Sequence, residues 1–128
     1  MNIRILFSLL LLLAGTAQVA SAQVQARWNR YPAIAPDGST IVFTYRGDLY
    51  RVPATGGAAV ALTSHEAHDY KPVWSRDGEA IAFASNRHGN FDVYVMPAGG
   101  GKATRLTYHS ADEEPYTFSA EGDTVLFG

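Results

Sequence analysis

The chain has no cysteine. Disulfides, thiolate metal sites and lipid attachment through a cysteine are excluded for this stretch, so its stability comes from packing alone. Charge is scarce too: ten Lys/Arg and twelve Asp/Glu in 128 residues, with no basic run or stripe. Nucleic acid finds no electrostatic footprint here. The longest apolar run, residues 5–14, is broken only by Ser8, and it falls short of the roughly 20 residues a comfortable membrane span needs. No stretch after it carries a helical period.

Several catalytic and cofactor signatures are missing as well. No Gly-x-Ser-x-Gly elbow is present, and Ser64, Ser75, Ser85, Ser110 and Ser119 lack a suitably spaced partner. Gly99-Gly100-Gly101-Lys102 fails as a phosphate loop at Met96 and Ala103. A zinc-protease helix needs two histidines one turn apart, whereas His65 and His68 are three apart in a loop between strands. No catalytic residue, metal or cofactor is implied by these residues.

The start of the chain has its own logic. Arg4 precedes the apolar run, and Ala20-Ser21-Ala22 is a small-residue cleavage signal. Residues 1–22 therefore read as a secretory signal peptide, cut between Ala22 and Gln23, and no stable membrane anchor remains after cleavage. The protein is expected outside the cytoplasm, periplasmic or extracellular. Without Arg4 nine basic residues face twelve acidic ones, a mildly acidic domain. Residues 23–30 form a short connector.

From Tyr31 onward the chain repeats itself. Asp37-Gly38 recurs 40 residues later as Asp77-Gly78 and 44 residues after that as Glu121-Gly122; Leu62-Thr63 recurs 44 residues later as Leu106-Thr107. Such a period suits a four-stranded propeller blade. Each copy carries four strand signals rich in β-branched and aromatic residues. Ala33-Ile34, Val73-Trp74 and Thr117-Phe118 mark the first strand, and residues 41–45, 81–85 and 125–127 the second. Residues 49–52 and 93–96 mark the third, and residues 59–63 and 103–107 the fourth. Asp-Gly and Gly-Gly supply turns that need positive φ. The extra four residues of the second copy are assigned to a longer loop between Phe83 and Asp92.

The fold expected is all-β, a propeller of four-stranded antiparallel blades over residues 31–69 and 70–113, with a truncated third over residues 114–128. Trp74 is placed on the innermost strand and Leu106 on the outermost. Ile41, Phe43, Ile81, Phe83, Val93 and Val95 are expected to fill the space between blades. Residues 23–128 made alone are expected to catalyse no acyl transfer, having no nucleophile and base at a workable spacing, and to associate through uncovered blade faces.

Up-and-down topology places the loops from strand two to three on the same face as the links between blades. That face carries Arg46, His65, His68, Asp69, Arg87, His88, His109, Asp112 and Glu113. It is the surface on which a peptide or protein partner would be sought, and ordinary solvated loops account for the same residues. The acidic run Asp112-Glu113-Glu114 reads as a solvated loop.

The runs Ala35-Pro36-Asp37-Gly38, Val73-Trp74-Ser75-Arg76-Asp77-Gly78 and Phe91-Asp92-Val93-Tyr94-Val95-Met96 resemble the WD40-like repeats of TolB and of tricorn-type peptidases. Gly47-Asp48-Leu49-Tyr50-Arg51-Val52-Pro53, with Leu62-Thr63-Ser64-His65, looks most like the first blade of tricorn-like serine peptidases. The resemblance covers residues 31–128. It implies propellers that admit and guide peptides ahead of a PDZ domain and a serine-peptidase core, and homo-oligomers of the full-length protein. None of that family's catalytic motif is in this chain. A TolB-like envelope module without catalysis, or a free-standing exported propeller, is the alternative.

Overall fold

The computed structural model describes residues 29–128. The segments assigned to the signal peptide and to most of the connector lie outside the described residues. Within them the chain makes ten strands: β1 (Arg30–Ile34), β2 (Thr40–Tyr45), β3 (Asp48–Pro53), β4 (Val60–Ala61), β5 (Asp69–Trp74), β6 (Ala80–His88), β7 (Asn90–Pro97), β8 (Thr104–Arg105), β9 (Pro115–Phe118) and β10 (Val125–Phe127). They form two four-stranded antiparallel meanders, β1-β2-β3-β4 and β5-β6-β7-β8, and a pair, β9-β10.

The turns repeat because their chemistry does. Gly38 N–H donates to Ala35 O (2.8 Å), Gly78 N–H to Ser75 O (3.0 Å) and Gly122 N–H to Ser119 O (3.1 Å). All three glycines hold φ between 73° and 81°, where a side chain would be strained. The aspartate before each of the first two locks the turn, Asp37 Oδ1 accepting from Ser39 N–H and Asp77 Oδ1 from Glu79 N–H. These bonds favour the carboxylate form. The Ser39 backbone holds Asp37 below the usual range, and the Ser75 hydroxyl does the same for Asp77.

The Leu-Thr pair is also structural. Leu49 N–H donates to Thr63 Oγ1 (2.9 Å), and Val93 N–H donates to Thr107 Oγ1 (2.9 Å). In both blades the leucine N–H bonds back to the third strand, Leu62 to Leu49 O (2.7 Å) and Leu106 to Val93 O (2.8 Å). Leu106 thus lies one residue beyond the outermost strand, since β8 ends at Arg105. The Thr107→Val variant keeps the shape and strands the buried Val93 N–H. We expect a loss of about 1–3 kcal/mol in denaturant unfolding; an unchanged midpoint would deny the hydroxyl this role.

The two meanders stack around Val42 and Leu49 from the first blade and Ile81, Phe83, Tyr94 and Met96 from the second. Their first strands lie side by side at the hub, where Trp74 Nε1–H donates to Ala33 O (3.1 Å). Two expectations are corrected here. Ile41 and Phe43 pair with Val52 and Tyr50, and alternation turns them to the face of the first blade opposite Val42. The interface with the second blade is therefore built on Val42 and Leu49. Val93 and Val95 pair with Ala84 and Ala82, on the face of the second blade turned toward the third, and so keep their expected place between blades. The expected long loop between Phe83 and Asp92 is instead a longer hairpin, with β6 running to His88 and His88 opposite Asn90 across Gly89.

Candidate functional site

Antiparallel order gathers the β2–β3 and β6–β7 turns and both inter-blade connectors at one end. The connectors are built alike. His65 Nδ1 accepts from Ala67 N–H (3.0 Å), and His109 Nδ1 accepts from Ala111 N–H (3.1 Å). Asp69 N–H donates to Gly47 O and Glu113 N–H to Phe91 O, both at 2.7 Å. Among the described residues no group of three or more His, Cys, Asp or Glu is placed to hold a metal ion.

A cleft of about 600 Å³ opens at this end, between the first two blades. Arg30, Tyr31, Thr44, Tyr45, Arg46 and Gly47 line it from the first blade, His68, Tyr70 and Phe91 from the second, and Glu114 from the approach to the third. Three rings form its aromatic wall: Tyr31 to Tyr70 at 5.4 Å and Tyr70 to Phe91 at 4.8 Å, edge-on. His68 stands 5.6 Å from Tyr70 and 6.2 Å from Phe91. Gly47 makes room for His68, since a Cβ there would meet His68 Nδ1 at 3.3 Å.

Backbone strain collects at the same place. Among the described residues the non-glycine positions with positive φ are Tyr31 (51°), Arg46 (54°) and Lys71 (55°). The first two line the cleft, and Lys71 comes directly after a third liner, Tyr70. Tyr31 and Lys71 are equivalent positions, each within an irregularity of its blade's first strand pairing, a bulge that re-aims neighbouring side chains. Bulky residues in this conformation persist only where the surroundings hold them, often at binding sites.

Glu114 ties the second blade to the third. Its carboxylate accepts from Lys71 Nζ and from the Tyr70 hydroxyl, and Lys71 also sits 4.9 Å over the Tyr116 ring. The Lys71 and Tyr70 bonds hold Glu114 below the ordinary carboxylate range. Burial, with the Glu114 bond, pushes Tyr70 up. A depressed carboxylate contributes stability that is present above its unfolded value and lost as pH falls through the folded one. For a raised tyrosine the contribution is present below the unfolded value and lost as pH climbs through the folded one. We expect acid to loosen the seat of β9 before the blade core, and Glu114→Gln to abolish that acid step, read by hydrogen exchange of the β9 amides. An acid step that survives in the variant would assign it to another group.

Of the residues singled out in the sequence, His68 lines the cleft. Asp69 is fully buried, with Arg87 Nη2 donating to its Oδ2 (2.7 Å), so this pair is internal structure and Asp69 is not accessible to a ligand. His88 is exposed, and its Nδ1 lies 2.6 Å from the Tyr94 hydroxyl. His65 and His109 are exposed and shape their connectors. Asp112 accepts from Phe91 N–H (2.9 Å), and Glu113 is half-buried. Sequence reasoning missed Tyr31, Tyr70 and Phe91 and read Glu114 as solvated. Tyr31 and Tyr70 at the start of the first strands, and Phe91 at the start of a third, were the available signal.

Asp69, Ser85 and Asp92 stand opposite one another across β5, β6 and β7, all fully buried. Arg105 Nη2 lies 2.8 Å from Asp92 Oδ2, an ion pair outside hydrogen-bond alignment, while Ser85 Oγ and Asp69 Oδ1 have no partner. Each buried carboxylate thus has its own arginine.

Stacked four-stranded meanders with their first strands at a common hub and their connectors at one end define a β-propeller. The family described as the tricorn protease N-terminal beta propeller domain matches residues 26–128, and the chain belongs to it. A dipeptidyl-peptidase 5 of Porphyromonas gingivalis is 32% identical over 68 residues, 45% of this chain and 10% of that protein. A TolB of Agrobacterium tumefaciens has the same fold with a TM-score of 0.70 at 21% identity, over 78% of this chain and 37% of its own. The tricorn protease superposes with a TM-score of 0.64 at 22% identity, over 73% of this chain and 10% of its own. The chain spans about a tenth of the length of the peptidases it matches.

Proposed function

We propose that this chain is the first propeller segment of an exported tricorn-like serine peptidase, and that its loop end is a surface for peptide substrates. The observation that carries the reading is the cleft, where aromatic walls and two strained residues, Tyr31 and Arg46, meet. Its size suits a ligand of a few residues. His68 is its histidine, and the exposed His65, His88, His109 and Asp112, with Arg87 and Glu113, belong to the same end. The segment contributes scaffold and contact. The nucleophile, its base and the oxyanion donors that acyl transfer requires come from elsewhere in the whole protein.

Two measurements on the whole protein test this. Expressed with its leader in a bacterial host, it is expected outside the cytoplasm with Gln23 as its first residue; a mature chain that begins at Met1 overturns export. It is expected to hydrolyse peptides. Binding of peptides without hydrolysis would instead make it an envelope binding module.

A further inference from the structure

The charge around the cleft is uneven. Its carboxylate, Glu114, is already taken by Lys71 and Tyr70. Arg30 and Arg46 make no ion pair among the described residues, and Arg46 lies 5.4 Å over the Tyr45 ring. The uncompensated charge at the mouth is therefore positive, while the wall behind it is aromatic. Tyr31 is 44% exposed and presents ring surface to any entrant. Its hydroxyl makes no hydrogen bond among the described residues.

We infer that this cleft selects peptides by an aromatic side chain, which packs on Tyr31 and Tyr70 and lies under the Arg46 guanidinium. The inference rests on the peptide-surface reading above and adds what the surface reads. Ring edges meet ring faces at favourable separations here. A guanidinium attracts a π face and repels an ammonium. An aliphatic side chain gains only the area term, and a lysine meets like charge at the rim. A carboxylate would satisfy the arginines but would have to leave water against three rings.

The test uses the whole mature protein, inactivated with a serine-directed fluorophosphonate, and acetylated, amidated pentapeptides of alanine with one central variable residue. Blocked ends remove any contribution from the termini. The phenylalanine peptide is expected to bind about tenfold tighter than the alanine peptide, with the lysine peptide weakest. Tyr31→Asn and Arg46→Asn should each erase most of that preference. Asparagine tolerates the left-handed backbone at both positions, and an unchanged melting temperature certifies the fold. Equal binding of all peptides, tightest binding of an aspartate peptide, or an undiminished preference in both variants overturns the inference. Equal binding would leave the peptide-surface reading standing. The absence of hydrolysis by the untreated protein would remove the peptidase reading without touching the aromatic preference.

Discussion

Replacing Phe83 by alanine is expected to remove about 3–5 kcal/mol of stability. Phe83 is completely buried on β6. Tyr94 stacks beside it on β7 at 5.8 Å, and Arg87 covers it with its guanidinium 5.5 Å from the ring centre. Ile81 and Met96 share its cluster, and Val42 and Leu49 close it from the first blade. Alanine here removes the ring from both sheets at once, and strands pinned in a ladder collapse poorly into the space. Against the roughly 5–15 kcal/mol that holds a typical domain together, such a loss is large. Phe83→Leu, which conserves more volume, should cost under about 1.5 kcal/mol. Equilibrium denaturation of the whole protein, followed by its near-ultraviolet circular dichroism, separates the two. If alanine costs no more than leucine, Phe83 is not the keystone of this interface.

The second large effect is expected from Arg87→Met. Asp69 is wholly buried and Arg87 Nη2 is the donor on its Oδ2, while Oδ1 has no partner. Methionine keeps an apolar stem, removes the guanidinium that lies over Phe83 and Tyr94 and leaves a carboxylate out of water and unpaired. Breaking such a pair from one side typically costs about 3–5 kcal/mol. The double variant Asp69→Asn with Arg87→Met should recover much of the loss, because the buried charge leaves with its partner. The coupling between the two sites is the decisive quantity. Additive losses would mean that the pair contributes nothing as a pair.

Much of the fold was legible because it is written in local rules repeated in register. Asp37-Gly38 and Asp77-Gly78 close the same turn by the same bonds, and an Asp-Gly needs no tertiary context to do so. Ser85, Asn86, Arg87, His88, Gly89 and Asn90 are a different case. Their polarity reads as a loop, yet the meander extends its ladder through them, a tertiary override of propensity. The expectation that Ile41 and Phe43 lie between blades has another origin. Alternation separates two faces of a strand but does not say which neighbour each face meets, and in β2 both faces are apolar. The cleft was the least legible part. Tyr31, Tyr70 and Phe91 come from three strands of two blades, and only the stacking of those blades makes them neighbours. The buried row of Asp69, Ser85 and Asp92 was hidden for the same reason, since register across three strands is a property of the sheet.

The brevity of the last strand in each full blade has a mechanical consequence. β4 and β8 have two residues apiece, each with two register pairs to its neighbour, whereas β6 and β7 zip together over most of their length. The chain enters a blade at the hub and leaves it at the rim, so tension between consecutive blades pulls on that short strand end-on and opens its few bonds one after another. Under load a blade should fray from the circumference inward, with the Thr63 and Thr107 hydroxyls as the last clasps to part. The hub strands, locked between neighbours, would hold longest. A sheet stack built this way yields at its outer edge while its hub strands keep their places.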